Sequence, residues 1–447
     1  MSSVFLRGNF APVREERTVT DLAVTGRIPD FLDGRYLRNG PNPVTEIDPD
    51  TYHWYTGDGM VHGIRLRGGK AEWYRNRWVR SPAIAARLGE AYRGRRSAFP
   101  LPDVGANANV VGHAGRILAL TGAGAACFEL DGDLSTAGAG DFGSAAYGYT
   151  AHPKTDPLTG ELHGVSSWCG GGGTVRYSVT DAAGNLTREV DIETGGRALM
   201  HDFALTGRHV ILYELPVPYD ADQGAHVSLP GTNGPFPYRW NPDHPARIGV
   251  MPRSGGSADV RWIEIHPCYV MHTLNAYDDG DFVVCDVIRY DKLFDADLRG
   301  PSEGHPTLYR WTIDLPYGKV RAEPLDDRMQ ECPRIDDRRC GRKHRYGYAA
   351  RFLEGPGELL KHDLDRGEDI VCSFGDGRQP GEFTFVPRAP DSAEDDGVLI
   401  GFVYAPGSRL SDLAILDAAT LETVATVRLP VRVPYGFHGN WIPSQRA

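Results

Sequence analysis

Short runs dominated by apolar and β-branched residues recur along the chain, with turn residues between them. They read HGIRL and AEWYRNRWV on either side of Gly68-Gly69 (62–79), RILAL (116–120), HVILYELPV (209–217), FVVCDVIRY (282–290), VLIGFVYA (398–405) and TVATVRLPV (423–431). Runs of this length, rich in Val, Ile, Tyr and Phe and bounded by turn residues, predict strands rather than helices. Gly68-Gly69 and Asp279-Gly280 stand at hairpin positions, where tight turns demand positive φ. One helix is predicted near 81–95, opened by Ser81-Pro82 and closed at Gly94. The polar stretch TFVPRAPDSAEDD (384–396) is expected as an exposed loop.

Many short strands with loops between them mean a sandwich, a barrel or a propeller. A chain of 447 residues exceeds one sandwich and fits a propeller of about seven four-stranded blades with long insertions. Neither a blade repeat nor a domain boundary is visible, so residues 1–447 are read as one all-β domain.

Composition narrows the function more than the fold. Apolar residues are 41% and charged residues 24%, enough to bury a sizeable core. A formal net charge of -11 argues against nucleic acid, whose partners carry a basic stripe. No stretch approaches the roughly 20 apolar residues of a membrane span. The start, MSSVFLRGNFAPVREER, lacks the basic-then-apolar order of a secretory signal. Seven scattered cysteines without a C-x-x-C pair fit a reducing compartment, so a cytoplasmic protein is expected.

Four of the 15 histidines stand apart by context: His152 (YTAHPKTDP), His201 (LMHDFALTG), His272 (YVMHTLNAYDDGD) and His438 (YGFHGNW). Each borders a strand-like or aromatic segment. His113, His163, His209, His226, His244, His266, His305, His344 and His362 sit in polar or turn contexts and are expected at the surface. A single histidine beside apolar residues is more often a core or turn residue than a ligand. A metal on a propeller axis, however, would draw one ligand from each of several blades, giving intervals this wide. Spacing alone leaves both readings open.

Twelve ordered segments change the balance. They are LDGRYLRNGPNP (32–43), HWYTGDGMVHGIRL (53–66), NRWVRS (76–81), NANVVGHAGRILAL (107–120), AHPKTDPLTGELHG (151–164), MHDFALTGRHVIL (200–212), IGVMPR (248–253), HTLNAYDDGD (272–281), ECPRID (331–336), GEFTFVPR (381–388), SDLAILDA (411–418) and GFHGNW (436–441). With them the chain resembles the carotenoid cleavage oxygenases, a family that also contains stilbene-cleaving dioxygenases and a retinoid isomerase.

The resemblance implies a seven-bladed β-propeller with an iron(II) ion on its axis, covered by a dome of loops and short helices. It carries the four metal ligands onto His152, His201, His272 and His438. It also places two glutamates that orient ligand histidines at Glu331 and Glu382; such carboxylates accept the free ring N–H and fix the tautomer. The family's third glutamate is missing, because Gly122 stands in its place, and His201 is the ligand expected to lose its carboxylate. The implied reaction adds O₂ across one C=C of a hydrophobic conjugated alkene and gives two carbonyl products. No acidic proton has to be removed, which agrees with the lack of a nucleophile elbow or P-loop.

Departures from the family pattern bear on the substrate. Ala108 interrupts an Asn-rich segment, Thr121 replaces a frequent Trp, and Met271 replaces a frequent aromatic residue. A roomier pocket is expected, with Phe203, Tyr213, Met271, Thr121, Ala108, Tyr435 and Phe437 as candidate tunnel residues. Asp103 stands where stilbene cleavers carry a phenol-binding lysine, so apocarotenoids and carotenoids come first as substrates, ahead of stilbenoids and phenylpropenes. Apolar and arginine side chains of 81–100 also suit a helix lying on a membrane surface. The remaining alternatives are retinoid-isomerase-like chemistry at the same histidines and a metal-free propeller that only binds.

Overall fold

The computed structural model describes residues 3–50, 52–97, 103, 105–122, 124–140, 148–167, 172–222, 236–301, 303–351 and 356–444. Its strands form seven antiparallel sheets, the blades of a β-propeller. The predicted runs fold as strands Gly59–Arg67, Lys70–Trp78, Arg116–Leu120, His209–Glu214, Phe282–Tyr290, Gly397–Ala405 and Thr423–Arg428. Gly68 and Gly69 turn the first hairpin at φ +54° and +71°.

Burial explains why alternation is clear only in some strands. Leu186–Glu193, the last strand of its sheet, alternates between half-buried and exposed positions, with Ile192 alone fully buried. Gly397–Ala405 lies in the middle of its sheet and is buried along eight positions. Flanking blades cover both its faces, so its sequence reads as an unbroken apolar run. The largest apolar cluster joins Tyr213, Tyr269, Tyr290 and Trp311 from two neighbouring sheets.

Two sheets combine distant parts of the chain. Gly439–Pro443 pairs with Gly34–Pro41, so the C-terminal strand completes the N-terminal blade. Ala23–Gly26 pairs with Thr423–Arg428 and adds an outer strand to the last blade. Six sheets contribute a strand edge to one axial cavity of about 950 Å³: Asn109–His113, Lys154–Thr155, Ala204–Leu205, Tyr269–Asp279, Glu331–Arg334 and Gly439–Pro443; the seventh reaches it through Glu382.

Two expectations need correction. The helix is only Pro82–Arg87, N-capped by Ser81 Oγ accepting the Ile84 amide at 3.1 Å; Gly89 at φ +73° follows its end, where Gly94 was expected. Ile84 and Ala85 are buried, Ile84 against Met60 and Trp78, while Ala83 and Leu88 are half-buried and Ala86 is exposed. The polar stretch is not all loop, since Thr384–Pro387 completes the strand Gln379–Pro387.

Several histidines expected at the surface are interior. His163 pairs with Tyr177 Oη (2.8 Å) and Arg253 Nη2 (2.7 Å), and His362 with Asp369 Oδ1 and Gln330 Oε1, both at 2.8 Å. His344 lies beside Asn275 Nδ2 at 3.1 Å, and His113 meets the Asp181 carbonyl at 2.8 Å. All four are buried, each with the hydrogen-bond partner that makes burial of a polar ring tolerable. His209 and His244 are half-buried, His266 and His305 are exposed, and His226 lies outside the described residues.

The closing strand gives a direct test. Gly26 holds φ +80°, and a Cβ there would sit 2.3 Å from the Val424 carbonyl oxygen. Gly26→Val is expected to cost about 1–3 kcal/mol, read as a lower urea unfolding midpoint. An unchanged midpoint would mean that this closure contributes nothing to stability.

Candidate metal centre

Four sheets deliver one histidine each to the axis. His152 is separated by Pro153 from the strand Lys154–Thr155, His201 stands ahead of Ala204–Leu205, His272 lies within Tyr269–Asp279, and His438 precedes Gly439–Pro443. Their rings cluster. Centroids are 4.6 Å apart for His152–His201 and His152–His438, 4.7 Å for His272–His438, 5.0 Å for His152–His272 and 5.3 Å for His201–His272. His152 Nε2 and His201 Nε2 face each other at 3.0 Å. One nitrogen of each of His152, His201 and His272 lies within 4.8 Å of the others, a grouping that could hold a metal ion.

Two carboxylates set the ring orientations. His272 Nδ1 is 2.6 Å from Glu331 Oε2, and His438 Nδ1 is 2.9 Å from Glu382 Oε1. Donating from Nδ1 leaves Nε2 with its lone pair, the form that binds metals. His272 Nε2 is buried without a hydrogen-bond partner. An orphaned acceptor of this kind among three other imidazoles is what a nitrogen-ligated metal would satisfy.

Both glutamates are held in turn. Glu331 accepts the Tyr290 hydroxyl at 2.8 Å and the Cys332 amide at 2.6 Å. That second bond depends on a bulge between Glu331 and Arg334, with Cys332 in the left-handed region at φ +54°. Strain of this kind persists where surrounding structure over-determines it. Glu382 accepts the Gly439 amide at 2.7 Å and lies 3.7 Å from Arg334 Nη1.

The electrostatics follow from burial and these pairs. Burial, reinforced by neighbouring imidazoles, drives His152 and His201 well below the usual histidine range, which keeps them neutral. Burial also lowers His438, against the pull of Glu382. At His272 burial acts in the same direction, but Glu331 outweighs it and raises the pKa. Burial pushes both glutamates up; their histidine partners more than reverse it and hold them below the ordinary carboxylate range.

Gly122 carries no carboxylate, and among the described residues a Cβ there would meet only Ala151 Cβ, at 3.9 Å, next to His152 in the chain. Among the described residues no carboxylate hydrogen-bonds the ring of His201 or His152. The Tyr55 ring stacks on His201 instead, with centroids 6.5 Å apart and 15° between planes.

The expected tunnel residues divide. Phe437 packs on Tyr55 at 5.3 Å and on Trp54 at 4.6 Å, beside the histidines. Phe203, Tyr213 and Met271 are buried in apolar clusters of the blades, and Tyr435 in a cluster with Phe5 and Trp54. Those four fill apolar clusters and do not line the axial cavity. Thr121 Oγ1 donates to Asn107 Oδ1 at 3.3 Å, and the Ala108 carbonyl accepts the His438 amide at 3.0 Å. Asp103 is engaged elsewhere, accepting the Ala83 amide at 2.8 Å.

An aromatic group that sequence reasoning missed lies next to His201. Tyr55 contacts Phe236 (5.5 Å) and Phe294 (6.1 Å), and His53 stacks on Phe236 at 4.6 Å. His53 and Tyr55 belong to the HWYTGDGM segment, whose paired aromatic residues were the available signal. Phe236 and Phe294 lie in irregular chain with no pattern to mark them.

With this geometry in hand, comparisons with known proteins are informative. The model of the family described as retinal pigment epithelial membrane protein matches residues 10–443. A carotenoid cleavage oxygenase of Mycobacterium tuberculosis is 48% identical over 492 aligned positions, covering 98% of this chain and 97% of the relative. An isoeugenol monooxygenase of Pseudomonas nitroreducens is 31% identical, covering 98% of each chain. Among solved structures, the lignostilbene dioxygenase of Pseudomonas brassicacearum superposes with a TM-score of 0.86 at 29% identity over 98% of each chain. Cobalt-substituted apocarotenoid oxygenase of Synechocystis gives 0.84 at 28% identity over 97% of each.

Glu331→Gln keeps the shape of the side chain but removes its charge. It is expected to weaken Co(II) binding by about 10–100-fold, measured by titrating the metal-free protein. Wild-type affinity would separate Glu331 from the metal centre.

Proposed function

Because the chain belongs to the carotenoid oxygenase family, and is an oxygenase on that ground, we propose that it is an Fe(II)-dependent dioxygenase cleaving one C=C of a hydrophobic conjugated alkene. Apocarotenoids and carotenoids are the first substrate class. The observation that carries this reading is the convergence of four imidazoles, two of them anchored by buried glutamates, beside an aromatic cluster.

His152, His201, His272 and His438 would hold the metal, and Fe(II) bound by four neutral imidazoles would supply O₂ activation. Glu331 and Glu382 keep Nδ1–H of His272 and His438 directed away from the metal. Tyr55, Phe236, Phe294 and Phe437 offer flat apolar faces that would bind and orient a planar conjugated chain and exclude water from it. No residue has to move a proton, since an alkene carries none that the reaction removes.

Stilbenoids and phenylpropenes form the second class. The isoeugenol and lignostilbene enzymes among the relatives support them; the engagement of Asp103 by the Ala83 amide gives no phenol-binding cation at that place. A reducing compartment, hence the cytoplasm, is the proposed location: none of the six described cysteines is in a disulfide, and four are buried. No described helix is long and apolar enough to cross a membrane.

Two measurements test the assignment. Protein purified without oxygen is expected to bind one Fe(II) per chain and, under ¹⁸O₂, to give aldehyde or ketone products carrying the label. Isomerised product without label would favour the retinoid-isomerase chemistry, and failure to bind iron would leave a propeller that only binds. Tyr55→Ala is expected to raise KM several-fold more than it lowers kcat, as steady-state kinetics on the cleaved substrate would show. An unchanged KM would remove the aromatic cluster from substrate binding.

A further inference from the structure

The missing carboxylate at Gly122 raises the question of what fixes His201. The answer lies one residue along the chain. Asp202 is buried, with its side chain 1% exposed, and among the described residues its hydrogen bonds join histidine-bearing segments. Its Oδ2 accepts the amide of Thr273, which follows His272, at 2.7 Å. Its Oδ1 accepts the Phe203 amide at 2.8 Å. The same oxygen is 2.9 Å from Nζ of Lys154, two residues beyond His152. The Lys154 ammonium also lies 5.9 Å above the Phe203 ring, a favourable cation–π position. Asp202 and Lys154 line the axial cavity.

One carboxylate thus joins three segments that bring His152, His201 and His272 to the centre. The fourth, His438, is secured through Glu382 and the Gly439 amide. No partner of Asp202 is the imidazole itself, so its action runs through the backbone. Fixing the side chain of the residue after His201 fixes the main chain from which that imidazole projects, and the Tyr55 face then limits the ring.

We propose that Asp202, aimed by Lys154, is the positioning residue for His201 and replaces through the backbone the ring-bound glutamate that Gly122 lacks. The proposal rests on the metal-centre reading. Breaking a buried charge pair by removing one partner is costly, so the effect on the metal has to be separated from the effect on folding. Gly122 allows this, because among the described residues a Cβ there meets only Ala151 Cβ, at 3.9 Å.

The test is Co(II) titration of metal-free wild type, Asp202→Asn, Lys154→Met, and Asp202→Asn combined with Gly122→Glu, following affinity and the ligand-field absorption spectrum. Thermal melts of the metal-free proteins run alongside. Asp202→Asn is expected to lose about 10–100-fold in affinity and to alter the spectrum. Lys154→Met should shift in the same direction by less, and the double variant should recover affinity because a carboxylate is returned to the His201 side. A merely structural role for Asp202 would not be rescued at Gly122. Wild-type affinity and spectrum in Asp202→Asn would overturn the proposal. So would an unfolded Asp202→Asn accompanied by a wild-type Lys154→Met. Failure of the wild type itself to bind Co(II) would instead overturn the metal-centre reading.

Discussion

Closure of the ring is the constraint on which the rest depends. Each of four sheets carries one histidine, so no sheet alone can bring even two imidazoles together. The rings meet only because seven sheets are held around a common axis. Hydrogen-bonded pairing of Gly439–Pro443 with Gly34–Pro41 and of Ala23–Gly26 with Thr423–Arg428 ties the two ends of the chain into this ring. The His438 imidazole precedes the closing strand directly, so metal-centre geometry and propeller closure are one mechanical problem.

Polar groups near the axis are paid for in hydrogen bonds. Buried carboxylates are tolerated when several donors share them, and Glu331, Glu382 and Asp202 each satisfy this. Glu331 gathers Tyr290, Cys332 and His272; Glu382 gathers His438 and Gly439, with Arg334 near. The two sides of the histidine cluster differ as a result. His272 and His438 are set by ring-to-carboxylate bonds, whereas His152 and His201 are held by their backbone and by neighbouring rings. The aromatic cluster of Tyr55, Phe236, Phe294 and Phe437 adjoins the second pair, through Tyr55 on His201. Rigid carboxylate support and apolar access therefore fall on different imidazoles.

Much of the architecture was legible because strand signals are local. Apolar runs separated by turn residues fold where they were expected, and Gly68-Gly69 turns as its conformational freedom requires. The helix was overestimated, because the 81–95 composition is helix-compatible while Gly89 takes up a positive φ soon after Arg87. Interior histidines such as His163 and His362 were misjudged for a related reason. Their neighbours in sequence are polar, but the Tyr177, Arg253 and Gln330 groups that satisfy them come from distant parts of the chain. Met271 adjoins His272 within one strand, where successive side chains leave on opposite faces, and it turns into blade packing; Phe203 lies in irregular chain just before Ala204–Leu205 and is also buried in a blade cluster.

The sequence by itself determined the strand-rich class, the family, the four histidines, Glu331, Glu382 and the vacancy at Gly122, since each is marked by residue type within a short motif. Only the tertiary structure decided which groups share the axis: Tyr290 on Glu331, Tyr55 on His201, Phe236 and Phe294 around Tyr55, and Asp202 between Lys154 and Thr273. The physical reason is range. Turn and strand preferences act over a few residues, whereas these contacts join segments separated by tens to hundreds of residues, which become neighbours only when the blades close into a ring.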